Sequence, residues 1–267
     1  LVEGCLYASS QDLVRLHFTV SPEHEDKIRA LIDEKLPALK DIYGLDFEIS
    51  FSIQSPSTDT IAASESNEPF KTTTGDLFFR PGGHGALIKN LNEQQADLIF
   101  VKNIDNVKPD NQKQDTVTYK KVIAGYLIQI KDQIHTYLDQ LDKNEVEIEE
   151  VADFVQNGLG YALPASFGAA SAEDQASLLI DLLDRPIRVS GMVIHEGEPG
   201  GGPFWVKDSK GNSSLQIVEK SQIDLGNDSQ SQILADSSHF NPVDLVCWVK
   251  DRNGNKYDLT RFVDPET

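Results

Sequence analysis

One short stretch of this chain concentrates residues that could do chemistry. Asp76-Leu-Phe-Phe-Arg80 runs into Pro81-Gly-Gly-His-Gly85, a helix is expected next, and Asp97-Leu-Ile-Phe-Val-Lys-Asn-Ile-Asp-Asn106 follows. Gly82, Gly83 and Gly85 carry no Cβ, so their backbone can approach a ligand closely. The start of the following helix offers unpaired N–H groups to an acceptor or an anion. His84, in that first turn, is expected to be neutral and to act by hydrogen bond, because a helix N-terminus disfavours imidazolium. The second run is a nearly continuous apolar strand that ends in Asn103, Asp105 and Asn106. A carboxylate there, Asp105, could hold Mg²⁺ between the phosphates of a nucleotide. Ligands of open α/β sheets sit at the carboxyl ends of strands. The spacing therefore predicts the glycine turn and Asp105 on one edge of one sheet, lining one cleft. The competing reading makes the first a tight turn that opens a helix and the second an Asx turn that ends a strand.

Other polar groups follow. Gly200, Gly201 and Gly202 could let a backbone pass a phosphate, or could form a mobile loop. Glu219 falls on an expected strand. Asn241 precedes Pro242, where it either binds a ligand or caps a turn. Lys102, Lys207 and Lys220 are candidates to face a phosphate. Trp205 and Trp248 are expected in the core. The remaining histidines, His17, His24, His135, His195 and His239, show no zinc spacing, and the two cysteines are far apart, so no structural zinc is expected. No P-loop, Gly-x-Ser-x-Gly or Gly-x-Gly-x-x-Gly element occurs.

The elements that must position these residues are legible in part. Leu13–Val20 predicts a strand. Ser21, Pro22, Glu23 and Glu25 open a helix that Pro37 should end or kink and Gly44 should close. Residues 47–53 alternate as a strand, and the polar stretch 54–70 predicts a loop. Between Tyr119 and Leu141 the residues Val122, Ile123, Tyr126, Leu127, Ile130, Ile134, Tyr137, Leu138 and Leu141 recur at helical spacing. A second helix is expected over 144–157, stopped by Gly158. Ser171-Ala-Glu-Asp174 resembles a capping box ahead of Leu178, Leu179, Leu182 and Leu183, and Arg185-Pro186 ends that helix. Strands are expected over 187–194, 203–207, 214–220 and 243–250, with hairpin chemistry in Lys207–Asn212 and Lys250–Asn255. The expected organisation is a nucleotide-binding half over 1–118, a helical layer or insertion over 119–185 and a strand-rich half over 186–267.

Composition narrows the partners. The chain has 267 residues and a formal net charge of −19. Such a surface repels nucleic acid and anionic membranes, so neither is expected as a partner, and a nucleotide would need local cations or a metal. Cys5 and Cys247 cannot build a disulfide framework, which suits a reducing cytoplasm. No apolar run is long enough to span a bilayer, and nothing at the start reads as a signal peptide. With Leu1 first and Asp264-Pro-Glu-Thr267 last, the chain reads as an internal piece of a longer protein.

Pro-Gly-Gly-His-Gly followed by Phe-Val-Lys-Asn-Ile-Asp-Asn resembles the central part of UDP-sugar pyrophosphorylases. More closely, it resembles a bacterial family distantly similar to those enzymes and without an assigned activity. Gly191-Met192, the run Glu196–Val206, Gln216–Ile223 and Phe240-Asn241 extend the resemblance over most of the chain. It implies a nucleotide-diphospho-sugar transferase fold of GT-A type: an α/β mixed sheet flanked by helices, its central strands parallel, with a helical insertion and later antiparallel hairpins. It also implies a nucleotide or nucleotide-sugar ligand, a magnesium ion on Asp105, the base on Gly82, Gly83, His84 and Gly85, and the sugar on Glu219 and Asn241. The activity implied is that of a sugar-1-phosphate nucleotidyltransferase. Those enzymes carry a glycine-rich loop with an Arg and a Lys that does not occur in these residues, so this chain alone is expected to be inactive. A non-catalytic nucleotide-sugar sensor or scaffold of the same fold is the alternative. A glycosyltransferase is a third, though Asn103-Ile-Asp105 has Asn where an Asp-x-Asp would begin.

Overall fold

The computed structural model describes residues 1–64, 66–197, 200–208 and 211–263, without the side chain of His84. It divides into two units, Leu1–Gln95 with Asp258–Arg261, and Ala96–Tyr257 with the residues from Phe262.

In the first unit, α1 (Val2–Tyr7) leads into β1 (Ser9–Ser10) and β2 (Leu13–Val20), and α2 (Pro22–Tyr43) crosses over to β3 (Asp46–Ile53). β2 and β3 are parallel, in register from Leu13↔Asp46 to Val20↔Ile53, and β1 adds antiparallel to β2. Gln11 and Asp12, both at positive φ, make the tight turn between β1 and β2. Ser21 stands at the N-cap of α2, but its hydroxyl meets His24 Nδ1 at 2.7 Å rather than a backbone N–H. Gly44 closes α2 in the left-handed conformation, donating to Lys40 O at 2.8 Å. Of the two expectations for Pro37, ending or kinking the helix, the first does not occur: α2 runs on to Tyr43. Ile32 and Leu36 face Phe47, Ile49 and Phe51, and contact with β3 carries the helix through the missing hydrogen bond.

The rest of this unit departs from the expected strand–turn–helix–strand unit. Segment 54–70 is not simply a loop. β4 (Thr60–Ile61) pairs with β5 (Phe79–Arg80), and between them Ala62, Phe70 and Phe78 are joined by backbone hydrogen bonds in a narrow meander. The expected strand 76–80 is thus two residues long and belongs to its own small sheet. Its apolar residues, Leu77, Phe78 and Phe79, are all exposed, and its backbone groups are taken by the nearest chain, where the loop to be closed is short. A single 3₁₀ turn, His84–Leu87, then leads into α3 (Ile88–Asn92).

The second unit opens with β6 (Leu98–Lys102), followed by α4 (Gln114–Lys143), α5 (Ile148–Asp153) with a π turn at Phe154–Gly158, β7 (Tyr161–Ala162) and α6 (Ala172–Leu183). Then come β8 (Ile187–Ser190), β9 (Val193–Ile194), β10 (Gly202–Lys207), β11 (Ser213–Val218), α7 (Asp228–Ala235), β12 (His239–Phe240) and β13 (Asp244–Trp248). β13 lies between β6 and β8 and is antiparallel to both. β10, β11 and β7 form an antiparallel sheet, and β12 pairs with β9. The expectation of parallel central strands therefore fails for the sheet that carries β6. The parallel ladder in the described residues is β2–β3, which α2 can connect, whereas hairpin-type returns favour antiparallel neighbours.

Residues 114–183 are mainly helical. Ile134, Tyr137, Leu138 and Leu141 of α4 pack with Val151, Ala152 and Val155 and with Leu179 and Leu183 of α6. The buried stripe of α4 is narrower than the apolar pattern suggests: Val122 and Tyr126 are exposed, and Lys120 is fully buried. Trp205 is 59% exposed, contrary to the expected core position, because it falls on the outer face of β10. Trp248 is half-buried, its indole N–H donating to Lys250 O at 2.8 Å. Both cysteines are buried and free. The chain is a mixed α/β protein, and no helix of the described residues is long and apolar enough to cross a membrane.

Candidate functional site

The sequence candidates fall in both units. Gly82, Gly83, His84 and Gly85 belong to the first; Asp105, Glu219 and Asn241 belong to the second.

In the first unit the glycine turn follows β5 and meets Gln54, the residue after β3. Gln54 donates to Gly82 O at 3.4 Å, and a Cβ on Gly82 would meet Thr58 O at 2.6 Å. Gly82 is therefore required by close backbone approach within the protein itself. A Cβ on Gly83 or Gly85 would meet open space. Beside this turn, the polar face of β2–β3 carries a connected network: His17 Nδ1 to Ser50 Oγ at 2.8 Å, His17 Nε2 to Ser52 Oγ at 2.8 Å, and Asn90 Nδ2 donating to Ser52 Oγ at 2.8 Å. Burial holds the His17 pKa below its ordinary value, with Glu93 opposing weakly, so the imidazole is neutral near pH 7.

In the second unit three chain segments meet at one edge, where β6 and β8 end and β13 begins. Asn241 is 4% exposed, and its side chain is fully occupied. It donates to Gly191 O at 2.6 Å and to Asp244 O at 3.4 Å, and accepts from Val243 N at 3.0 Å. Its backbone N–H donates to Gly201 O at 2.8 Å. Gly201 and Gly202 are themselves buried, and Gly200 packs on the Phe240 ring, where a Cβ would come within 2.9 Å. The glycine run is needed because two chain segments touch there.

Glu219 lies on the other side of Gly201: a Cβ on Gly201 would stand 3.3 Å from Glu219 Oε1 and 2.7 Å from Ile217 Cγ2. Glu219 is not on a strand as expected. It follows β11 and caps the single turn Lys220–Gln222, its N–H donating to Gln222 Oε1 at 2.9 Å. Its side chain is half-buried beside the buried Gly201–Asn241 pairing.

Asp105 is exposed in the turn that follows β6, and its carbonyl accepts from Val107 N at 3.1 Å. The next residue ties that turn to the same edge, Asn106 Nδ2 donating to Pro242 O at 3.0 Å. Among the three candidate lysines, Lys102 stands opposite Asp244 at this edge and Lys220 follows Glu219. Lys207 pairs with Ser213 at the far end of the β10–β11 ladder, five residues from Gly202, roughly 16 Å along the strand.

Two features of the edge were missed by the sequence reading. Val243 has φ +54°, a left-handed conformation that costs a β-branched residue on the order of 1–2 kcal/mol. Lys120, 0% exposed on α4, forms an ion pair with Asp244 and sits 5.7 Å from the Phe100 ring centre. A signal for Lys120 exists: it stands at seven-residue steps from Leu127, Ile134 and Leu141, all buried, so it is a cation at a core position of the helix. Nothing in local sequence marks Val243.

Together the edge presents a half-buried carboxylate, Glu219, and an exposed one, Asp105, which can accept hydrogen bonds from hydroxyl groups, while the Asn241 amide is spent on the protein's own backbone. Among the described residues no group of three or more His, Cys, Asp or Glu could hold a metal by itself. No curated protein and no solved structure matches the chain. A family model, Domain of unknown function (DUF4301), matches residues 1–267, and the chain belongs to that family.

Proposed function

We propose that the chain binds a nucleotide-sugar and is built on the plan of the sugar-1-phosphate nucleotidyltransferases, with a GT-A type sheet. In that reaction a phosphate oxygen of the sugar 1-phosphate attacks the α-phosphorus of a nucleoside triphosphate, and pyrophosphate leaves. One observation supports the reading most. Glu219, which the resemblance assigns to the sugar, stands half-buried beside Gly201, whose backbone Asn241 holds from the other side. A half-buried carboxylate accepting hydrogen bonds from sugar hydroxyls is worth more than an exposed one.

Asp105 fits Mg²⁺ as a lone protein carboxylate, since this ion keeps its waters and takes its remaining ligands from substrate phosphates. Bound there, the ion would neutralise phosphate charge.

Calorimetric titration with UDP-glucose, UDP-N-acetylglucosamine and UDP, with and without magnesium, tests the proposal. Binding of a UDP-sugar is expected. Glu219→Gln should weaken it about tenfold, the worth of one hydrogen bond to a charged group, and leave UDP affinity unchanged. No affinity for any of these ligands rejects the reading. A pyrophosphate-release assay with UTP and sugar 1-phosphates separates the outcomes: binding with no turnover is expected of this chain alone, and turnover would place the phosphate machinery within it.

A further inference from the structure

We infer that Lys120 is a positioning residue of the candidate sugar site, clamping through Asp244 the strained corner that holds Asn241 against Gly201, beside Glu219. The inference rests on the proposed sugar-binding reading.

The argument begins at Val243. A β-branched residue with φ +54° persists only where its surroundings over-determine it. The β13 ladder and the Gly191 N–H, which donates to Asp244 O at 2.8 Å, hold the corner, and side-chain contacts hold it as well. Asn241 Oδ1 accepts the Val243 N–H at 3.0 Å, Asn106 Nδ2 holds Pro242 O at 3.0 Å, and the Asp244 carboxylate is paired to Lys120. The first two act on the corner from loop residues, Asn241 buried and Asn106 exposed. The third anchors it to the interior, because α4 packs on β13 and Lys120 is fully buried while Asp244 keeps 26% of its side-chain surface.

An ion pair with one member in the core is costly to form, and apolar side chains of similar volume commonly do as well for stability. A lysine at the Leu127–Ile134–Leu141 register of α4 is therefore poorly explained by folding alone. Its effect on geometry is specific. By fixing Asp244, the first residue of β13, it fixes the direction in which the chain arrives from Val243. Asn241 then has both its acceptors, Gly191 O and Asp244 O, in place. Breaking the pair frees Val243 to return to extended backbone. That rotates the Asn241 amide away and loosens the Gly201 contact beside Glu219.

The test uses the full chain. Lys120→Met alone leaves a carboxylate without its partner and can fail to fold, so the variant to compare is Lys120→Met with Asp244→Asn, which removes both charges. Two readouts are taken. Hydrogen exchange at the Val243 amide should become at least tenfold faster, with protection of the α4 core amides unchanged. UDP-sugar affinity should fall about tenfold while UDP affinity stays within twofold, a difference that a general loss of structure would not produce. Unchanged exchange at Val243 overturns the clamp whatever the ligand data show. Faster exchange with undiminished UDP-sugar affinity overturns the positioning role. A wild-type chain that binds UDP but gains nothing from the sugar refutes the sugar-pocket reading itself, and the inference falls with it.

Discussion

Asp105 shows how a single residue separates chemistry from architecture. It is exposed, and within its turn its carbonyl accepts from Val107 N. Asp105→Asn removes one charge at nearly constant shape. Folding stability should change by less than about 0.5 kcal/mol, and magnesium-dependent affinity for UTP or UDP-sugar should drop. Equal affinities in calorimetry with and without magnesium would leave it a turn residue. Cys247 makes the opposite case. Burial pushes its thiol up to about 11 from an ordinary 9.0. At pH 8 it is therefore protonated and a poor nucleophile. Native protein should show no thiol reactive toward a disulfide reagent at pH 8, and the unfolded chain two. Because the folded thiol holds its proton more tightly, stability from this group is complete below pH 9 and declines as pH rises toward 11. His17 runs the other way: its depressed pKa favours the fold above its ordinary 6.5, and that contribution is lost as pH falls through the folded value. Denaturant titration at pH 7.5 and 5.5 should show a smaller acid loss in His17→Gln than in wild type.

At the level of elements, caps and breakers make sharper predictions than propensity. Ser171 Oγ accepts from Asp174 N at 3.2 Å at the start of α6. Ser171→Ala should cost about 1 kcal/mol. Pro37 is exposed in the interior of α2, where its ring removes a helix hydrogen bond. Pro37→Ala should stabilise the protein by about 1–3 kcal/mol, readable in a denaturation midpoint; a loss of stability would show that the ring packs usefully. Legibility followed the range of the forces. α2, β2, β3, α4 and α6 were readable because their ends and faces are written in adjacent residues: Ser21-Pro22, Gly44, Ser171, and the Leu127–Ile134–Leu141 repeat. The 60–80 meander was not. Its strands are a few residues long and pair with one another, leaving Phe78 and Phe79 exposed with no alternation to read.

For the whole molecule, the formal charge of −19 is the dominant long-range term. Self-repulsion opposes the compact state, and salt screens it. Raising sodium chloride from 10 to 200 mM should lift the melting temperature by roughly 2–4 °C; a fall would show that attractive pairs such as Arg252 with Asp139 and Asp142 outweigh the net charge.

The candidate residues themselves were legible from type and spacing: Gly82–Gly85, Asp105, Glu219 and Asn241 all stand out as side chains or backbone suited to a polar ligand. Their grouping was not. The glycine turn and Asp105 were expected on one sheet, yet β5 and β6 belong to different sheets. Glu219 and Asn241 come together only because β10 and β12 approach through glycines that exclude any Cβ. By itself the sequence determined the mixed α/β class and the helices α2, α4 and α6, since each is a local matter of period or cap. Tertiary structure alone decided strand pairing, the left-handed Val243 and the partner of Lys120. Those depend on which distant backbone supplies a hydrogen bond or a charge, and no local pattern encodes that choice.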